Sequence, residues 1–194
     1  MKKKILSILF LLLCLTSASA QDLVQFKLTR SGSFVDIDNK GFVVVPFAGK
    51  TASELYNMVK NNILSIYKDP KQVMSENEGQ TIAIRAKGGL VWKTVTFIPR
   101  TFEGYYTMVF RFKDGRIRVD APVVEDNLTD SDGWLNKTLS FTSYCHSHIA
   151  KNGKPATKFD VKKVSQTENA MNVIINQILG LIKTTSTITP DDNW

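Results

Sequence analysis

The sequence predicts an α+β domain, and three observations carry that reading. A short β-branched run, Phe42-Val43-Val44-Val45, leads into a capped amphipathic helix. Asp114-Gly115 lies between two alternating segments, the strongest short-range signal of a β-hairpin. A second, strongly apolar helical stretch, Gln166–Lys183, closes the chain. Strand, helix, several antiparallel strands and a closing helix form an α+β order.

The chain opens with Lys2-Lys3-Lys4, an apolar run from Ile5 to Leu15, and Ala18-Ser19-Ala20. That is the pattern of a secretory leader, so residues 1–20 are expected to be removed after Ala20. The apolar run is too short to span a bilayer as a helix, and no later stretch is long enough. Cys14 follows Leu13, which is not the small residue that lipoprotein processing wants. Plain export is therefore expected, to the periplasm, the envelope or the medium. The formal charge is +7, of which the leader carries three lysines. The mild basic excess that remains favours anionic partners. Cys145 is the one cysteine beyond the leader, so packing must hold the fold without an internal disulfide.

Residues 21–40 read as an N-terminal lead-in, with a weakly alternating edge strand over Asp22–Leu28. Residues 41–183 read as a single domain and 184–194 as a tail. Pro46 ends the first strand, because it lacks a backbone donor. Thr51-Ala52-Ser53-Glu54 has the capping-box pattern, with Leu55, Val59, Ile63 and Ile66 following at helical spacing. Pro70 sets the stop. Gln80–Lys87 and Leu90–Ile98 predict two further strands. In the hairpin, the two-residue turn places Lys113 opposite Arg116, Phe112 opposite Ile117, Arg111 opposite Arg118 and Phe110 opposite Val119. One face then holds Tyr106, Met108, Phe110, Phe112, Ile117, Val119 and Ala121, and must be core. Thr138–Ile149 alternates and predicts a strand, with Leu139, Phe141 and Cys145 on one face. Ser165-Gln166-Thr167-Glu168 predicts a second capping box. The two helices and the Phe110/Phe112 face need each other, so both helices are expected on one face of the sheet.

The Val43–Pro46 strand, the Gly49-Lys50-Thr51 turn, Glu54-Leu55-Tyr56 and the alternating strands to about Asp126 resemble DUF4468, a family of exported bacterial proteins of unknown function. The resemblance covers roughly half of the chain beyond the leader. It implies a curved antiparallel sheet with two helices packed on one face, like that of the TATA-binding protein. It brings no catalytic motif, and fold analogy does not bring DNA binding.

The chemistry that the residues offer is narrow. There is no Gly-rich phosphate loop with its Lys-Ser/Thr, no nucleophile elbow and no two-Cys metal pair. No catalytic residue, cofactor or metal site is assigned. The alternative reading, a metal-dependent or other hydrolase, rests on Tyr144-Cys145-His146-Ser147-His148. On a strand His146 and His148 would point the same way, but a zinc site needs a third ligand. Cys145, on the opposite face, reads as a small core residue. Asn127-Leu128-Thr129 and Asn136-Lys137-Thr138 are formal glycosylation acceptors.

The other feature is the hairpin's second face. Arg111 opposite Arg118 and Lys113 opposite Arg116 set like charges across from each other, which destabilises a sheet unless something neutralises them. Arg111, Lys113, Arg116 and Arg118, with Tyr105 beside them, are the candidate ligand-binding residues. Arginine matches carboxylate and phosphate geometry through its planar fork. The expected function is an exported non-catalytic binding module acting through its open sheet face on an anionic envelope component or a protein partner. No nucleic acid is expected. A structural envelope component is the third reading, and it would show a large exposed apolar patch.

Overall fold

The computed structural model describes residues 23–182, apart from 96–97, 132 and 134–136. The leader and its cleavage site, the Asn136 acceptor and the tail from 184 lie outside the described residues. The elements run β1 (Lys27–Leu28), β2 (Phe34–Val35), β3 (Phe42–Pro46), α1 (Ala52–Ile66), α2 (Pro70–Val73), β4 (Met74–Asn77), β5 (Thr81–Val95), β6 (Ile98–Lys113), β7 (Arg116–Val124), β8 (Asn127–Asp130), β9 (Thr138–Ser140), α3 (Phe141–His148) and α4 (Asp160–Ile178).

The β6–β7 hairpin is the centre of an antiparallel sheet in the order β3-β7-β6-β5-β4, curled into a half-barrel. Gly115 has φ +73°, the left-handed conformation that this turn needs. The four cross-strand pairs nearest the turn are those that the two-residue loop dictates. Farther on, a bulge between Thr107 and Val109 sets Val109 opposite Asp120. β8 pairs with the start of β6, and β9 with β8. Gly104 makes room there, because a Cβ on it would lie 2.3 Å from Leu128 Cδ2.

Both long helices pack on one face of this sheet, over Ile82, Ile84, Met108, Phe110, Ile117 and Val119, all fully buried. Asn62 Nδ2 of α1 donates to Ile178 O of α4 at 2.9 Å, joining the helices directly. α1 starts as its sequence dictates. The amide of Glu54 donates to the Thr51 hydroxyl and the amide of Thr51 to the Glu54 carboxylate. The amide of Ala52 adds a bond to Asp114 Oδ1 at 2.8 Å, so the hairpin turn also caps the helix.

The structure departs from the sequence expectations in four places. First, Phe141–His148 is the helix α3, not a strand. Phe141, Tyr144 and Cys145 stand at i, i+3 and i+4 and are all buried, so the apolar positions satisfy a helical period as well. Second, β5 is one strand through Gly88-Gly89, with a register shift between Gly89 and Val91 against β6. Third, α4 begins at Asp160, not Gln166, and ends at Ile178. Ser165–Glu168 is helix interior. The Thr167 hydroxyl donates to Lys163 O, and Glu168 turns to another segment.

That segment is the fourth difference. The lead-in buries Val24, Phe26, Leu28 and Phe34 in the core. Its extended backbone is held by side chains of α4. Asn176 Oδ1 accepts from Val24 N at 2.8 Å, and its Nδ2 donates to Val24 O at 2.9 Å. Asn172 makes the same pair with Phe26, at 2.9 and 3.0 Å. Glu168 Oε1 accepts from Leu28 N at 2.8 Å. Four residues of helix advance about 6 Å and two of extended chain about 6.6 Å, so the spacings match. The helix serves this segment as a neighbouring strand would.

Candidate functional site

No described helix covers the sheet's second face, and the alternation of β6 and β7 projects the candidate cations from it. Arg111, Lys113, Arg116 and Arg118 are all exposed and line one hollow of about 340 Å³. Phe42 and Val44 of the adjoining edge strand β3 form its apolar side. Val44 is 46% exposed, although it stands in an apolar run. The Arg118 guanidinium lies over the Phe42 ring, 4.0 Å from its centre.

Asp120 resolves part of the like-charge problem. Its carboxylate takes Arg118 Nε at 2.6 Å and Arg111 Nε at 3.1 Å. Lys113 and Arg116 have no ion pair among the described residues. One carboxylate therefore serves two of the four cations, and the surplus sits at the turn end of the hollow.

Tyr105 is not part of this group. It stands six residues before Arg111 on β6, roughly 20 Å along the strand. There the Arg85 guanidinium lies 3.9 Å from its ring centre, and Arg85 is paired with Glu125 at 2.6 Å. Lys87 pairs with Glu103 nearby. That end of the open face is internally neutralised. Phe42 and Val44 escaped the sequence reading because the β3–β7 pairing joins distant segments. The usable signal was the alternation that puts them on the side opposite buried Val45.

The histidines do not converge. On α3, residues two apart emerge on different sides. His146 is exposed and receives Arg30 Nη2, which lies 2.7 Å from its Nε2. His148 stacks on Tyr144, donates from Nδ1 to Tyr144 O at 2.9 Å, and its Nε2 lies 3.7 Å from Asp160 Oδ1. Asp160 is held well below the usual carboxylate range, first by the Thr157 hydroxyl and also by Lys163. His148 thus joins α3 to the start of α4. Cys145 is fully buried, and burial pushes its thiol up to about 12, which leaves it unreactive at neutral pH. Among the described residues no three His, Cys, Asp or Glu side chains are grouped to hold a metal ion. No described helix is long and apolar enough to cross a membrane.

With this geometry in view, solved structures supply the comparison. A crystal structure of a DUF4468 family protein from Bacteroides ovatus superposes with a TM-score of 0.55 at 13% identity, over 86% of this chain and 94% of that one. The chain has the DUF4468 fold. A TBP-like protein from Parabacteroides distasonis matches with a TM-score of 0.45 at 15% identity, over 71% of this chain and 90% of that one. No family model and no curated protein matches the sequence. The likeness in fold extends beyond the half of the chain on which the sequence resemblance rested.

Proposed function

We propose that this is an exported, non-catalytic binding domain of the DUF4468 kind, which holds an anionic envelope component on its open sheet face. One observation carries the reading. Lys113 and Arg116 stand without an internal acid beside an apolar floor, while Asp120 fixes their neighbours Arg111 and Arg118. A row of like charges is costly in a sheet, and a ligand's carboxylates or phosphates would relieve it. Phe42 and Val44 would take an apolar portion of the same partner.

The test is association of the purified protein with envelope material at low and high ionic strength. Binding at low salt that weakens as salt rises is the expected result, since exposed charges are screened. The informative variant is Lys113→Glu with Arg116→Glu, which leaves the Asp120 network intact. It should stay folded and lose most of the association. Unchanged association, or none in the wild type, overturns the reading. Export itself is checked by the intact mass of the secreted protein, which should begin at Gln21 and carry no lipid.

A further inference from the structure

A second basic site lies away from the open face. The β1–β2 hairpin, the end of α3 and the turn after it border an open cleft of about 570 Å³. Three cations line it: Lys27 and Arg30 from the hairpin side, and Lys151 from the turn. No carboxylate lines it, and no ion pair joins these three to an acid among the described residues. Glu168 feels the charge of Lys27, but its carboxylate is turned onto the Leu28 amide. Arg30 is positioned without an acid, by the His146 ring at 2.7 Å and by Ile149 O at 3.4 Å. A guanidinium held without a carboxylate keeps its full charge for a ligand.

Half of the remaining lining residues carry a hydroxyl or a side-chain amide, and Leu28 and Val35 add an apolar part. Thr29, Ser31, Asn39 and Asn152 face the cleft. The hollow on the sheet differs in its charge, because Asp120 neutralises part of it there. The volume lies within the roughly 300–1,000 Å³ of small-molecule sites and exceeds what a single inorganic anion needs. We propose that the cleft between Lys27, Arg30 and Lys151 binds the phosphate monoester of a small polyol, such as a sugar phosphate. A phosphate monoester carries about −1.5 to −2 charge at neutral pH, which suits three cations better than the single charge of a carboxylate ligand does. The hydroxyls of the sugar meet the hydroxyl and amide lining.

Titration of the isotope-labelled protein with glucose 1-phosphate, followed by amide shifts at low ionic strength, tests this. Saturable shifts are expected over residues 27–31 and 146–153. Glucose should produce none, and inorganic phosphate should bind at least tenfold more weakly. The double variant Lys27→Gln with Lys151→Gln changes only exposed side chains and should weaken binding at least tenfold. The double variant Lys113→Glu with Arg116→Glu should bind as the wild type does, which separates this site from the sheet face. Absence of saturable shifts, unchanged affinity in the Lys27/Lys151 variant, or shifts confined to residues 111–118 overturns the proposal. Equal affinity for inorganic phosphate overturns the sugar portion of it.

Discussion

Helices α1 and α4 lie side by side on the same sheet face, yet different things hold them. α1 is capped by its own residues Thr51 and Glu54, with help from Asp114 of the hairpin turn. α4 has no side-chain cap and spends its polar residues on the backbone of the lead-in. The Thr51–Glu54 bonds of the first are short-range and exposed, so losing one lets water replace it. The bonds of the second are long-range and in part buried, so losing one strands backbone groups away from water. Helix termini with local signals are cheap to specify and cheap to lose. A helix that organises a distant segment is neither.

Four substitutions sharpen that contrast, in falling order of effect. Phe110→Ala removes the fully buried ring beneath both helices, and denaturant unfolding should show a loss of about 3–5 kcal/mol. A loss under about 1 kcal/mol would mean that the helices do not depend on this face. Asn176→Ala should cost on the order of 3 kcal/mol, since it leaves both polar groups of Val24 buried without partners. Hydrogen exchange at the Val24 and Phe26 amides should rise in that variant. Thr51→Ala should cost about 1 kcal/mol and leave those two amides protected. If both variants deprotect the lead-in equally, the distinction between the helices fails.

The smallest effect has the opposite sign. Burial, ahead of its bond from Leu28, raises the pKa of Glu168 in the folded state. The native protein therefore holds that proton more tightly than the unfolded chain does. Its stabilising contribution is present at low pH and is lost as pH rises through the folded value. Glu168→Gln keeps an acceptor for the Leu28 amide and has no charge to bury. Its unfolding midpoint should exceed that of the wild type at pH 7 and converge with it below pH of about 4, near the unperturbed value for glutamate. A lower midpoint at pH 7 would show that the carboxylate charge stabilises the clasp.

What the sequence made legible follows the same division. The hairpin register was readable because a two-residue turn leaves one alignment, and α1 because its capping box is complete within four residues. The four cations followed from that register. Tyr105 was placed on the correct face but too far along it, since alternation gives the side and not the neighbours. α3 was unreadable because positions 141 and 145 fit both a period of two and a helical turn. The start of α4 was misplaced because Ser165 and Glu168 mimic a capping box while bonding Lys162 O and the Leu28 amide. The clasp joins polar residues to backbone amides, which no side-chain pattern in the lead-in announces. The basic cleft depends on that same docking, so Lys27, Arg30 and Lys151 looked unrelated.

The clasp also fixes an order of events. Val24 and Asn176 are 152 positions apart, and the backbone groups of Val24 and Phe26 that Asn176 and Asn172 bond wait for the last helix. A ribosome would have released nearly all of the chain before the domain could close. Until then the extended segment that carries Phe26 stays threadable, and the hairpin and α1 can form behind it. The fold is a loop whose latch is made last. Its two ends are set at the moment of closure, whatever the middle has already achieved.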